Sequence, residues 1–220
     1  MKTDARSKAF GSGCKPGERK PRRTRRPASE TRKDILKTAE KLFRERGYQQ
    51  VAMADIATEL NMSPANVFKH FHAKSALVDA IACAHIEDMM ADLKGIDPAA
   101  SPERKILDAA ERLLAVLLRD VSANPHIFEM VVLCVDPSRT AGDFYREKIS
   151  AVLQVFIDEG VRKGQFHVRD SGHTASVLAT ALGGILNPLV VCHEEPDILY
   201  TRCRDLVDLV ILALQNPLAK

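Results

Sequence analysis

The chain has no tryptophan, and aromatic residues make up only 5% of its 220 positions. The strands of a β-sandwich are rich in aromatic and β-branched side chains, so that architecture is disfavoured. Glycine and proline are scarce at 11 each, and Pro16, Pro21 and Pro27 fall within the first 28 residues. The rest is therefore short of turn formers and rich in Ala, Leu, Glu, Lys and Arg, which favours helix. The five cysteines (Cys14, Cys83, Cys134, Cys192, Cys203) include no CxxC pair. Neither a zinc site nor a disulfide framework is indicated, and reduced thiols in a cytoplasmic protein are expected. His70 and His72 form an HxH pair with no third or fourth ligand nearby in sequence, so no metal site is expected. GxSxG, Gly-rich phosphate-loop and HExxH motifs are all missing, and neither catalysis nor a cofactor is expected.

Long apolar runs are also few. The basic residues at the start are not followed by an apolar run, so no secretory signal is read there. Ala175 to Cys192 is 18 residues without a charge, at the lower edge of a membrane-spanning length. Ser176, Thr180, Gly183-Gly184 and Asn187-Pro188 interrupt it. A helix buried in a core or subunit interface is the expectation, with no membrane partner.

What is present is an uneven charge. Residues 1–28 carry ten Lys or Arg against Asp4 and Glu18, a net of +8, whereas the whole chain has a net of only +3. A basic arm on a mildly acidic body suits a polyanion. Residues 1–28 lack helical periodicity and are expected to be a disordered basic arm. Ser29 is expected to cap a first helix in which Ile35, Thr38, Ala39, Leu42 and Phe43 recur at helical spacing, with Gly47 as the stop. A short helix over 53–60, a turn at Asn61-Met62-Ser63, and a helix from Pro64 to about Phe71 follow, Ser63 capping the last. Further helices are expected over 74–93, 102–121, 125–134, 140–163, 172–191 and 196–215, with Gly164 closing the fourth of these. No β-alternation longer than a few residues occurs.

A helix-turn-helix needs a small residue where its helices cross, a turn residue tolerant of positive φ, and an apolar anchor in the second helix. Ala57, Asn61 and Val67 meet these needs at spacings of four and six. Asparagine is second only to glycine in tolerating that turn. The surrounding block, Thr31 to Ile81, contains ILKTAEKLFRERGY, DIATELNMS and VFKHFHAKSAL. In these segments it resembles the DNA-binding domain of the TetR family of bacterial transcription regulators.

The resemblance implies an all-α protein. A three-helix helix-turn-helix DNA-binding domain (29–78) would precede a larger helical domain (79–220) for effector binding and dimerisation. It implies that the helix Pro64–Phe71 enters the major groove of double-stranded DNA. Ala65, Asn66, Phe68, Lys69 and His70 would face the duplex, with Asn66 suited to adenine and His70 to a base edge or phosphate. Lys69 and Lys74 look like phosphate contacts. Three positions depart from the family: Ala52 replaces the usual Ser or Thr cap, Ala54 a polar or basic residue, and Phe68 a tyrosine whose hydroxyl reaches phosphate. The basic arm, with Arg22, Arg23, Arg25 and Arg26, would offset these losses from the minor groove.

His85, Met89, Phe128 and Tyr145, with Met90 and Met130, are candidates for a pocket that takes a small apolar or amphipathic effector. Val177, Leu178, Leu182, Ile185 and Leu186, with Leu206, Leu209, Val210 and Leu214, would form a four-helix homodimer interface. Gly183-Gly184 would permit close approach there. Two reading heads would then meet a pseudo-palindromic operator about 34–36 Å apart. The function so implied is a repressor released from its operator by the effector. The alternatives are a regulator without an effector, and a helical interaction protein with a decayed helix-turn-helix.

Overall fold

The computed structural model describes residues 27–123 and 140–216, together with His126, Met130 and Leu133. The described residues contain helices and no strand, so the all-α expectation holds. Helix α1 (Ala28–Arg46) buries Ile35, Ala39, Leu42 and Phe43, a stripe at i, i+4, i+7 and i+8. It begins one residue before Ser29, with Pro27 at the cap position and no side-chain capping bond. Gly47 ends it at φ 83° and donates its N–H to the Phe43 carbonyl. Helix α2 (Met53–Glu59) starts without a hydroxyl cap, but the Asp55 carboxylate accepts the Ala52 N–H at 2.7 Å. Asn61 then turns the chain at φ 51°, and helix α3 (Pro64–His70) follows with Pro64 in its first turn. Ser63 occupies the cap position, but its hydroxyl makes no capping bond.

Helix α4 (Lys74–Leu93) belongs to two apolar cores. Leu77 and Val78 join Ile35, Phe43, Ile56 and Val67 in the first core. Met89 and Leu93 join the second, which draws on α5 (Pro102–Ala123), α6 (Thr140–Arg162), α7 (Ser171–Leu182), the single turn α8 (Pro188–Val191) and α9 (Pro196–Gln215). The helix expected over 125–134 lies mostly outside the described residues. Met130, which is helical, is buried in the first core.

The helix expected over 172–191 is broken in two. α7 stops at Leu182, and Gly183-Gly184 end it rather than lying inside it. The Asn187 side chain accepts the Leu189 N–H at 2.9 Å and Pro188 starts α8, so two strong breakers outweigh the apolar run. Among the described residues no helix is long and apolar enough to cross a membrane. The residues expected at a dimer interface also divide. Leu178, Leu182, Leu186 and Leu214 are buried within this chain's own core, and Ile185, Leu206 and Val210 pack against it. Val177 and Leu209 remain exposed, together with Ile198 and Leu212.

One charge is buried in the second core. Lys105 of α5 is 5% exposed, and its ammonium reaches both carboxylate oxygens of Glu159 on α6, at 3.0 and 2.7 Å. Lys163 adds a 2.7 Å bond from one turn further on. Hydrogen bonds from Lys105 and then Lys163 hold the Glu159 carboxyl down at about 2. Its contribution to stability is therefore complete above about pH 4.5 and is lost as pH falls toward 2. Lys105→Ala should destabilise the fold by about 2 kcal/mol, because it leaves the half-buried Glu159 carboxylate with Lys163 alone. The pair Lys105→Met with Glu159→Leu should cost far less, and denaturant titration of both variants distinguishes the two. At the turn before α3, Asn61→Ala should cost about 1 kcal/mol and Asn61→Gly nothing or less, read as shifts in melting temperature.

Candidate nucleic-acid interface

Helix α3 is held against the first core by Val67, which is fully buried, so the opposite face is presented outward. Ala65 and Lys69 are exposed, Phe68 is 43% exposed, and Asn66 and His70 are half-buried. The Asn66 amide donates to the Met62 sulfur at 3.6 Å. The end of α3 is secured from α1. The Arg32 guanidinium donates to the His70 carbonyl at 2.9 Å and lies 4.0 Å from the centre of the Phe71 ring. A carbonyl at a helix C-terminus lacks an intrahelical donor, and Arg32 supplies it. Lys41 of α1 likewise meets Glu59 of α2 at 3.0 Å. Five of the expected DNA-facing residues thus share one short helix.

Lys74 sits differently from an outward-facing phosphate contact. Its ammonium donates to the Tyr48 and Val51 carbonyls at 2.6 and 2.8 Å and lies 4.1 Å from the centre of the Tyr48 ring. Tyr48 itself meets Phe43 edge to face at 5.5 Å. Lys74 therefore ties the start of α4 to the loop between α1 and α2. Arg22, Arg23, Arg25 and Arg26 lie outside the described residues, as does Phe128.

A cavity of about 710 Å³ lies beside α4, within the range that suits a drug-sized ligand. His85, Met89, Met130 and Tyr145 line it, so four of the candidate pocket residues are brought together. Met90 is not among its lining residues and packs instead against the second core. His85 is not isolated, because its Nε2 lies 2.6 Å from Asp120 Oδ2 on α5. The hydrogen bond to Asp120 raises the His85 pKa above its ordinary value, against an opposing effect of burial. Burial alone would raise the Asp120 carboxyl, but the bond and charge of His85 outweigh it and hold the carboxyl down. Burial also pushes the Tyr145 phenol up, so it stays protonated.

Three side chains of the cavity wall, Glu40, Arg44 and Asp120, are not among the candidates read from the sequence. Glu40 and Arg44, paired at 2.7 Å on α1, form part of its wall. Asp120 lies on it too, and that signal was available: Asp120 continues the inward series Leu113, Leu117 of α5. An acid on a buried face demands a partner. Cys203 is fully buried, and burial first of all pushes its thiol up to about 11, which suits a small packing residue.

Comparison with known proteins agrees with both halves of the fold. The family model described as "Bacterial regulatory proteins, tetR family" matches residues 35–81. The model described as "Tetracyclin repressor-like, C-terminal domain" matches residues 102–207. The HTH-type transcriptional repressor BepR of Brucella suis is 27% identical over 218 residues, spanning 89% of this chain and 97% of its own. A TetR-family transcriptional regulator from Pectobacterium atrosepticum superposes with a TM-score of 0.67 at 24% identity, covering 89% of this chain and all of that one. The structure of RolR in complex with resorcinol superposes at 0.60 with 16% identity, covering 87% and 96%. With a reading helix set on one core and matching models on both sides of α4, the chain belongs to the TetR family of bacterial regulatory proteins.

Proposed function

We propose that this DNA-binding regulator is a homodimeric repressor that leaves its operator when a small molecule occupies the cavity beside α4. The observation that carries the reading is the continuity of α4. Its first turns help set the position of α3, and its inner face, Val78 to Met89, lines the cavity. A ligand that favours one tilt of this helix alters where α3 stands, and the coupling is reciprocal. BepR is a repressor by name and RolR was captured with resorcinol, which supports both halves of the reading.

On DNA, Asn66 and His70 read base edges, while Lys69 bonds phosphate and Ala65 and Phe68 pack against the duplex. Lys74 acts chiefly by holding the loop before α2, with one ammonium hydrogen left for phosphate. The arginines of the arm, Arg22, Arg23, Arg25 and Arg26, add contacts in the minor groove. The exposed apolar residues Val177 on α7 and Ile198, Leu209 and Leu212 on α9 form the dimer contact. Such a regulator works in the cytoplasm, on a pseudo-palindromic site.

Binding to the protein's own upstream intergenic DNA, against a scrambled duplex and over a series of salt concentrations, tests the reading. A preference of about 10³-fold or more is expected. Lys69→Ala should weaken both duplexes and lower the salt slope by about 1, whereas Asn66→Ala should cost about 1–3 kcal/mol on the preferred duplex alone. Removing residues 1–26 should flatten the salt dependence further; an unchanged slope refutes the role of the arm. Leu209→Asp should give monomers in sedimentation and abolish the paired footprint. Equal, weak and salt-sensitive binding to both duplexes overturns sequence-specific recognition of that DNA.

A further inference from the structure

The cavity is built for one class of molecule. Its wall is mainly apolar, with Ile81, Ile86, Met89, Leu117, Met130 and Ile149 among its lining residues. Among the described residues, its three acidic side chains are each matched by a cation. Glu40 accepts two bonds from Arg44, at 2.9 and 2.7 Å. Asp120 meets His85 at 2.6 Å and Arg119 at 3.5 Å. Asp143 is ion-paired with Arg146, and its carboxylate is three-quarters exposed. A cationic ligand would have to displace one of these partners.

The donors of the wall are less fully used. Because Asp120 engages His85 at Nε2, the proton on that nitrogen is fixed, and Nδ1 has no hydrogen-bond partner among the described residues. Asp120 favours the imidazolium, in which Nδ1 is a second N–H donor. The other charges acting on His85 are Arg44 of α1, which opposes its protonation, and Asp88 of its own helix, which favours it. Tyr145 is half-buried, lines the same cavity, and its hydroxyl makes no hydrogen bond among the described residues. Ala141 and Gly142, in the first turn of the 23-residue α6, also lie on the wall. The start of a long helix carries partial positive charge and N–H groups without intrahelical partners. Imidazolium and phenol both supply donors, and the acid at the start of α6, Asp143, is already ion-paired with Arg146.

We propose that the ligand of this cavity is an amphipathic organic acid, its carboxylate taken by His85 with Tyr145 as a further donor, and its body by the apolar wall. This assignment rests on the cavity being the effector site. The acid does not replace Asp120, which holds the opposite edge of the imidazole. It adds a second anion to the ring and so draws α4 toward whatever position the acid occupies.

Head-group series on fixed tails test it. The full-length protein is titrated with decanoate, decanol and decylamine, and with 2-naphthoate, 2-naphthylmethanol and 2-naphthylmethylamine, binding being read by calorimetry and by the rise in melting temperature. In at least one series the acid should bind about tenfold tighter than the alcohol, with the amine weakest. His85→Gln should bring acid and alcohol within about twofold of each other while leaving the alcohol unchanged. A purely structural role for His85 would weaken all three alike. Tyr145→Phe, which keeps the ring, gives the same comparison if His85→Gln fails to fold, and should remove part of the preference. Equal binding of the three heads, tightest binding of the amine, or no binding by any of the six overturns the acid assignment. Operator release measured alongside separates the two readings. Equal heads that still release DNA defeat the acid and leave the effector site standing. A bound acid that leaves DNA affinity unchanged supports the acid site and defeats the effector reading.

Discussion

The architecture depends on α4 being one uninterrupted hydrogen-bonded helix shared by two cores. Leu77 and Val78 are committed to the first core, and Met89 and Leu93 to the second. Packed interiors are dense and change arrangement in steps rather than by smooth deformation. A helix anchored at both ends by such packing transmits a tilt instead of absorbing it. Neither core can shift its contacts with α4 without the other registering the change.

Polar ties fix this helix at three heights. At its start Lys74 grips the Tyr48 and Val51 carbonyls. In the middle His85 meets Asp120. At its end Arg112 of α5 donates to the Asp92 and Gly95 carbonyls at 3.1 and 2.9 Å, bracing the turn that follows the helix. The ends are tied by cations to neutral carbonyls, which do not titrate. The middle is tied by the one pair whose charge depends on its surroundings, and that pair lies on the cavity wall. The most adjustable of the three ties is thus the one a ligand can touch.

The sequence showed the helices where periodicity and punctuation agreed. Lys74–Leu93 and Pro196–Gln215 run as their apolar spacing and flanking breakers indicate. The turn at Asn61 was legible because few residue types accept a positive φ. The second half of the chain misled where composition outran punctuation. The uncharged stretch from Ala175 reads as one helix, yet Gly183-Gly184 and Asn187-Pro188 divide it. Faces were harder still. Leu178, Leu182 and Val177 look alike in sequence, and only packing sends the first two inward and leaves the third exposed. At the cavity, His85, Met89 and Tyr145 stood out by type, whereas Glu40 and Arg44 did not, because on a surface helix an (i, i+4) acid–base pair is the ordinary solvated arrangement. Their place on the wall follows from how α1 lies against α4, which no local pattern encodes.

That place of Glu40 and Arg44 bears on how relatives of this chain can diversify. Two cores joined by one helix invite a division into two exchangeable modules. Here part of the cavity's wall is on α1, which belongs to the first core. A recombination that joined α1–α3 to a foreign second half at α4 would carry a fragment of the old cavity with it. The joint between the modules is therefore not neutral ground for exchange. Any change in the chemistry of the cavity engages α1 as well, so the first helix and the second half of the chain are bound to vary together.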